Sequence, residues 1–488
     1  MKFELLILLI IGSFTALLST HLNKPFIGHH DFNGAFYSTI ARNINRYPVS
    51  ESKLGSVLGD GPMSTPFTYY THNVPLYSWF LSMFFFLFGA GHFQARMLSL
   101  LFSACTLFLI YAIARELFPR KIAILALLFF ATSAMFMYFS TNVFPEALAI
   151  PLSLSTILFF LKFISSTSLK HFYLLIASSI LATLTVWGPF FLIPLLAIFY
   201  LILYRKLDPK FFVLLFIPFI IFIFFLIFLF IITGDFFAGG LIQGALSRIN
   251  WAEQATNQNV KLLDFFKSEI VLSTAYYSKV TLFLSVFWGI IFSYQLLNKK
   301  TEKQNFIILI LGIWGALYSL IFKNAAFIHD YFLIYFAPFF ALSAAQAVYT
   351  LQQYIRRHLK MSIVSSLLFF LPLAQLFMTL PFTDALWKTG DLSVYQLGKL
   401  INKETEFLDP ILILSGQFGA HFGVFTNFYA DRKIIYSDFS LEDFKKYGKE
   451  YKYIVYIEGR DTQAEVNDYL KSQYTYEKFD TFYLYKID

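Results

Sequence analysis

The chain reads as an all-α polytopic membrane protein carrying a small α/β domain in its C-terminal part. Three observations predict this class. Hydrophobic residues fill 57% of its 488 positions and charged residues only 14%, more apolar surface than one soluble core can bury. Apolar runs of spanning length recur from the N-terminus to about residue 380. From residue 382 the composition turns polar and Tyr-rich with short β-rich runs.

Taken in order, the runs give about eleven expected transmembrane helices, near residues 4–20, 95–114, 122–139, 147–163, 172–187, 190–204, 211–232, 270–296, 305–322, 328–350 and 361–380. The first follows Lys2 and lacks a small-residue cleavage site before His21, so it is expected to remain as a span with a cytoplasmic N-terminus. The run 76–89 is too short to span and is expected to lie in the outer interface. With it set aside, Arg115, Arg120, Lys121, Lys162, Lys170, Arg205, Lys206, Lys210, Lys299, Lys300, Lys303, Arg356, Arg357 and Lys360 all face the cytoplasm, as the positive-inside bias requires. The net charge of +8 thus sits largely in short orienting loops, and nucleic acid is not implied. The single cysteine, Cys105, excludes an intrachain disulfide.

An odd number of spans puts the C-terminus outside, together with the loops 21–94 and 233–269. The expected domains are a transmembrane catalytic domain, 1–381, and an extracytoplasmic α/β domain, 382–488. In the latter, 411–414, 433–436, 453–457 and 481–485 read as strands, and 441–447 and 464–473 as helices. Gly416, Gly419 and Gly423 follow the first strand at a spacing that fits no phosphate-binding fingerprint, and they read as a plain turn.

Ionisable residues gather on the outer face. Asp31 stands just before an expected amphipathic interfacial helix starting at Asn33, with Phe36, Ile40 and Ile44 on one face and Arg42 and Arg46 on another. Glu146 follows Pro145 in the first turn of a span, and His72, Arg248, Lys323 and His329 fall in outer loops or at span ends. Taken singly, each suits a helix cap or an interfacial anchor. Together they suit a reaction in which a lipid phosphate leaves: Asp31 deprotonates an acceptor hydroxyl while the basic groups stabilise charge on the phosphate. Glu146 would orient the acceptor, tune Asp31, or join it in holding a divalent cation.

Several elements carry a resemblance. An acidic residue after the first span, an Ala-Arg-Asn helix at 41–43, His72-Asn-Val-Pro-Leu76, the segment GAGHFQARMLSLLFS and a late HDYF are similar to the GT-C superfamily, in its branch of polyprenyl-phosphate-sugar transferases, protein O-mannosyltransferases and the lipid A aminoarabinose transferase. The likeness covers about residues 1–350. It implies transfer of a sugar from a polyprenyl-phosphate carrier to a lipid, glycan or protein acceptor outside an inner or plasma membrane, and a direct displacement at the anomeric carbon would invert its stereochemistry. It also implies roles: Asp31 as the essential first-loop carboxylate, Glu146 as the second acid, and His72, Arg248, His329 and Tyr331 at the donor phosphate. Asp31 is followed by Phe32 where a second acid is common. A lipid-linked saccharide flippase or exporter, and a non-catalytic scaffold with a partner-binding outer domain, are the alternatives. The first predicts charges buried in mid-span, and the second predicts tolerance of Asp31→Asn.

Overall fold

A computed structural model describes residues 2–204, 209–237, 241–249, 260–300, 302–359, 361–459 and 464–487. Arg205, Lys206, Lys360 and the stretch 250–259 lie outside these. The chain divides into two compact units: Met1–Leu22, Thr71–Tyr77 and Arg96–Trp387 form the first, and Asn23–Tyr70, Ser78–Ala95 and Lys388–Asp488 the second.

The first unit is helical. Among the described residues, seven of the eleven expected spans correspond to helices long and apolar enough to cross a membrane, among them His92–Leu117, Glu146–Ser166, Pro209–Thr233 and Leu262–Leu297. The helices at Glu4–Ser19, Leu169–Thr183 and Pro189–Leu203 are shorter. Leu76–Phe88, most of which belongs to the second unit, has 13 residues, about 20 Å at 1.5 Å per residue against a hydrocarbon core of about 30 Å. Large apolar side chains such as Phe219, Phe283 and Leu297 lie exposed on helix surfaces, which suits a lipid environment. The interior is filled by rings, with Trp314, Tyr276, Tyr335 and Phe129 almost wholly buried.

Three spans depart from expectation for local reasons. The run 122–139 breaks into Arg120–Ala131 and Ala134–Phe139, because the Ser133 hydroxyl accepts the Phe136 N–H and caps a new helix. The run 328–350 opens with a 3₁₀ turn, Asp330–Phe336, before the α-helix Ala337–Tyr354, where Pro338 sits in the first turn. The run 270–296 is a longer helix, Leu262–Leu297, kinked at Ser278 with φ 70°. Beside the kink, Thr281 donates to Gln375, whose Nε2 in turn donates to the Phe129 carbonyl at 2.6 Å, so the bend is tied into neighbouring helices.

In the second unit five strands form one mixed sheet in the order β2-β1-β3-β5-β4: β1 Ile411–Ile413, β2 Ile434–Tyr436, β3 Tyr453–Ile457, β4 Tyr476–Phe479 and β5 Phe482–Lys486. β1 pairs parallel with β2 and β3, and β5 antiparallel with β3 and β4. Alternate residues sort to two faces. Ile411, Ile413, Val455 and Leu484 pack with Leu397, Ile401 and Phe418 from the helices Leu392–Glu404 and Gly416–Ala430. Leu412, Ile454 and Tyr485 pack with Phe444 and Leu470 from Leu441–Tyr447 and Ala464–Gln473.

The expected turn at Gly416, Gly419 and Gly423 is instead the start of the Gly416–Ala430 helix. Ser415 caps it by accepting the Phe418 N–H at 3.0 Å. The glycines are there for packing: a Cβ on Gly419 would sit 2.4 Å from the Tyr436 ring. The unexpected strand β4 is exposed at all four positions, so it has no inward alternation to betray it.

Candidate active site

Asp31 belongs to the second unit. It is the first residue of the Asp31–Arg46 helix, two positions earlier than expected, and it is only 2% exposed. Its Oδ2 accepts the backbone N–H groups of Gly28 at 2.8 Å and Ile27 at 3.1 Å. Gly28 allows that approach, since a Cβ there would lie 3.1 Å from Oδ2. A carboxylate in the first turn also suits the positive end of the helix dipole. Chain reversal is completed by His30 at φ 57°.

The same helix is not a free interfacial element. Ile40 and Ile44 are buried, but so is much of its opposite side, where its arginines are paired. Arg42 Nη2 lies 3.1 Å from Asp60 Oδ1 and 3.2 Å from Asp431 Oδ1, and Arg46 Nη2 lies 2.5 Å from Asp431 Oδ2. Arg42 also donates to the Phe428 carbonyl at 2.9 Å, and Thr39 to Asp60 at 3.1 Å. Burial outweighs the mutual attraction on both sides, pushing the Asp60 carboxyl up and the Arg42 guanidinium down.

In the first unit, Glu146 heads the Glu146–Ser166 helix and is 5% exposed. The loop before it is braced by the His92–Leu117 helix, where Arg96 donates to the Thr141 carbonyl at 3.2 Å and Ser103 to the Ser140 carbonyl at 2.9 Å. Tyr77, Tyr335 and Arg248 lie within electrostatic reach of its carboxylate. A cavity beside it is lined by Ser103, Thr106, Phe139, Ser140 and Phe144.

His72 is fixed through its main chain, whose carbonyl accepts Trp187 Nε1 at 2.8 Å. Its ring lies against Gly244, where a Cβ would come within 3.1 Å of Nε2. Gly188, which follows Trp187, accepts Trp314 Nε1 through its carbonyl at 2.8 Å and leaves room for Tyr335, since a Cβ there would meet that ring at 2.4 Å. The Trp187-Gly188 turn therefore sets both the His72 loop and the tyrosine facing Glu146. Arg248 is near enough to act on His72 as well. Burial first, and Arg248 second, lower the His72 pKa below its ordinary value of 6.5, so at neutral pH the imidazole is an uncharged hydrogen-bonding group.

The remaining residues are anchored in other ways. Lys323 Nζ donates to the Val260 carbonyl at 3.1 Å. The His329 and Tyr331 rings stack at 5.3 Å, and Tyr331 packs edge-on to Phe144 at 5.7 Å. This joins the HDYF element to the loop that presents Glu146. The structure thus brings His72, Arg248, Glu146 and Tyr331 into one neighbourhood of the first unit, while Asp31 is carried by the second.

Sequence reasoning missed several residues. Arg96 braces the Glu146 loop, and an arginine inside the apolar segment GHFQARMLSLLFS was the signal for it. Asp330, between His329 and Tyr331, accepts from the Tyr276 hydroxyl at 2.6 Å; Tyr276 is 54 positions away, and nothing local announces the pair.

Residues 72–230 match the family model for dolichyl-phosphate-mannose-protein mannosyltransferase. No protein of curated function matches the chain significantly in sequence. Among solved structures, ArnT from Cupriavidus metallidurans bound to undecaprenyl phosphate superposes with TM-score 0.67 at 13% identity, covering 100% of this chain and 98% of that one. An apo form of the Archaeoglobus fulgidus oligosaccharyltransferase gives TM-score 0.60 at 14% identity, covering 92% and 69%. The archaeal oligosaccharyltransferase AglB from Archaeoglobus fulgidus, in complex with an inhibitory peptide and a dolichol-phosphate, gives 0.59 at 13%, covering 100% and 74%. The chain thus shares the overall fold of these structures, and the family match covers residues 72–230.

Proposed function

We propose that the protein transfers a sugar from a polyprenyl-phosphate carrier to a lipid, glycan or protein acceptor at the extracytoplasmic face, with inversion at the anomeric carbon. The observation that carries this reading is the gathering of His72 and Arg248 beside Glu146 in the first unit. The undecaprenyl phosphate and dolichol-phosphate of the structural neighbours support the donor class.

In this reading the acceptor oxygen forms a bond to the anomeric carbon as the carbon–oxygen bond to the phosphate breaks, and the carrier phosphate leaves with the bonding pair. Asp31 takes the acceptor proton, its orientation held by the Gly28 and Ile27 N–H groups. Arg248 stabilises charge developing on the phosphate oxygens, and His72 donates one neutral hydrogen bond to them. Lys323, His329 and Tyr331 complete the donor contacts, and Glu146 orients the acceptor. With a phosphate as leaving group, no separate general acid is needed. The N-terminus is cytoplasmic and the α/β domain of 382–488 extracytoplasmic.

The test is release of lipid phosphate by the protein in nanodiscs supplied with a panel of polyprenyl-phosphate sugars. Asp31→Asn is expected to slow turnover by about 10²–10⁴-fold while donor binding persists. Normal turnover by a well-folded Asp31→Asn protein refutes the assignment.

A further inference from the structure

A groove of about 640 Å³ runs along the first unit between the Leu262–Leu297, Lys303–Ile321 and Ala337–Tyr354 helices. Its walls are nearly all apolar: Phe265 and Phe266 at one end, then Leu282 and Val286, with Phe339 and Phe340 opposite. Four polar side chains, Glu269, Ser273, Ser285 and Ser319, break this lining, and two of them carry an unsatisfied atom. Glu269 Oε1 and Ser319 Oγ are buried with no hydrogen-bond partner among the described residues, and Ser319 is only 2% exposed. Each such orphan costs about 1–3 kcal/mol, so two facing one groove call for a ligand that supplies donors.

Position and charge define that ligand. Glu269 is two turns into its helix and Ser319 two residues from the end of its own, so both lie at the same end of an antiparallel pair. From Glu269 to Val286 the groove follows the helix across its kink at Ser278, a path of at most about 25 Å at 1.5 Å per residue, within the reach of a lipid chain in a hydrocarbon core of about 30 Å. Asp330, which lies outside the lining, acts electrostatically on Glu269, and its negative charge disfavours an anionic headgroup beside Glu269.

We propose that this groove binds a lipid whose headgroup carries a primary ammonium, its N–H donors meeting Glu269 and Ser319 and its chain lying along Leu282 and Val286. A primary ammonium offers three donors and a positive charge. A trimethylammonium keeps the charge but has no donor, and a phosphate monoester has the wrong sign. The site is chemically distinct from one that holds a carrier phosphate, and it stands or falls independently of the sugar-transfer reading.

Native mass spectrometry of the full-length protein tests this with four probes: dioleoyl phosphatidylethanolamine, phosphatidylcholine, phosphatidylglycerol and undecaprenyl phosphate. Phosphatidylethanolamine is expected to be retained at least about tenfold more strongly than the other three, the effect of one charge-assisted hydrogen bond. Glu269→Gln and Ser319→Ala should reduce that preference, and Val286→Trp should weaken retention by filling the apolar tract without changing the melting temperature. Equal retention of phosphatidylcholine, an undiminished preference in Glu269→Gln, or displacement by undecaprenyl phosphate overturns the proposal.

Discussion

Replacing Asp431 by Asn is expected to loosen the helix that carries Asp31. Asp431 occupies a left-handed position at φ 50°, just beyond the Gly416–Ala430 helix; Asn tolerates that conformation, so the change removes charge without adding backbone strain. What is lost is the ionic partner of Arg46 at 2.5 Å and one of the two carboxylates beside Arg42. Arg42 keeps Asp60 and the Phe428 carbonyl, so the loss falls mainly on Arg46. A hydrogen bond to a charged group contributes about 1.5–3 kcal/mol. With the Asp431 side chain 20% exposed, solvent screening reduces this to about 1–2 kcal/mol. At 1.4 kcal/mol per factor of ten, amide exchange in residues 39–46 should quicken by about 5- to 30-fold. Hydrogen exchange with mass spectrometry reads this directly, and a double-mutant cycle with Arg46→Met isolates the pair. Unchanged exchange in that segment, or no coupling between the two substitutions, refutes the idea that the α/β domain holds this helix in place.

Two further outcomes follow from the first unit. Gly188→Ala should force Tyr335 aside and lower stability by about 1–3 kcal/mol, as overpacking does; thermal unfolding measures it, Tyr335→Leu should restore part of the loss, and an unchanged melting temperature contradicts the packing argument. The lowered His72 pKa means that the native state binds fewer protons than the unfolded chain once pH falls below 6.5, so this residue makes stability decline from there toward its folded pKa. Denaturation between pH 7 and pH 5 should show a shallower acid slope in His72→Gln, and equal slopes would count against a buried neutral imidazole.

Legibility followed the range of the interactions. The membrane class, the helices at 441–447 and 464–473, and four strands of the C-terminal sheet rest on periodicity and composition within a few neighbouring residues. The Gly416–Ala430 helix was hidden because its glycines answer to Tyr436 across the sheet rather than to a local turn. Likewise the start of the Asp31–Arg46 helix is set by Gly28 and Ile27 N–H groups bonding back to Asp31, which no capping rule at Asn33 anticipates.

By itself the sequence determined that the chain belongs in a bilayer, which stretches are apolar enough to cross it, and which ionisable residues are candidates for chemistry, because burial of apolar groups and the cost of charge in lipid act residue by residue. Only the tertiary structure decided which candidates meet: Arg248 with His72 and Glu146, Tyr276 with Asp330, Arg42 with Asp60 and Asp431. Those pairings join residues from about 18 to nearly 400 positions apart, and electrostatics and hydrogen bonds depend on distances in space that chain spacing does not encode.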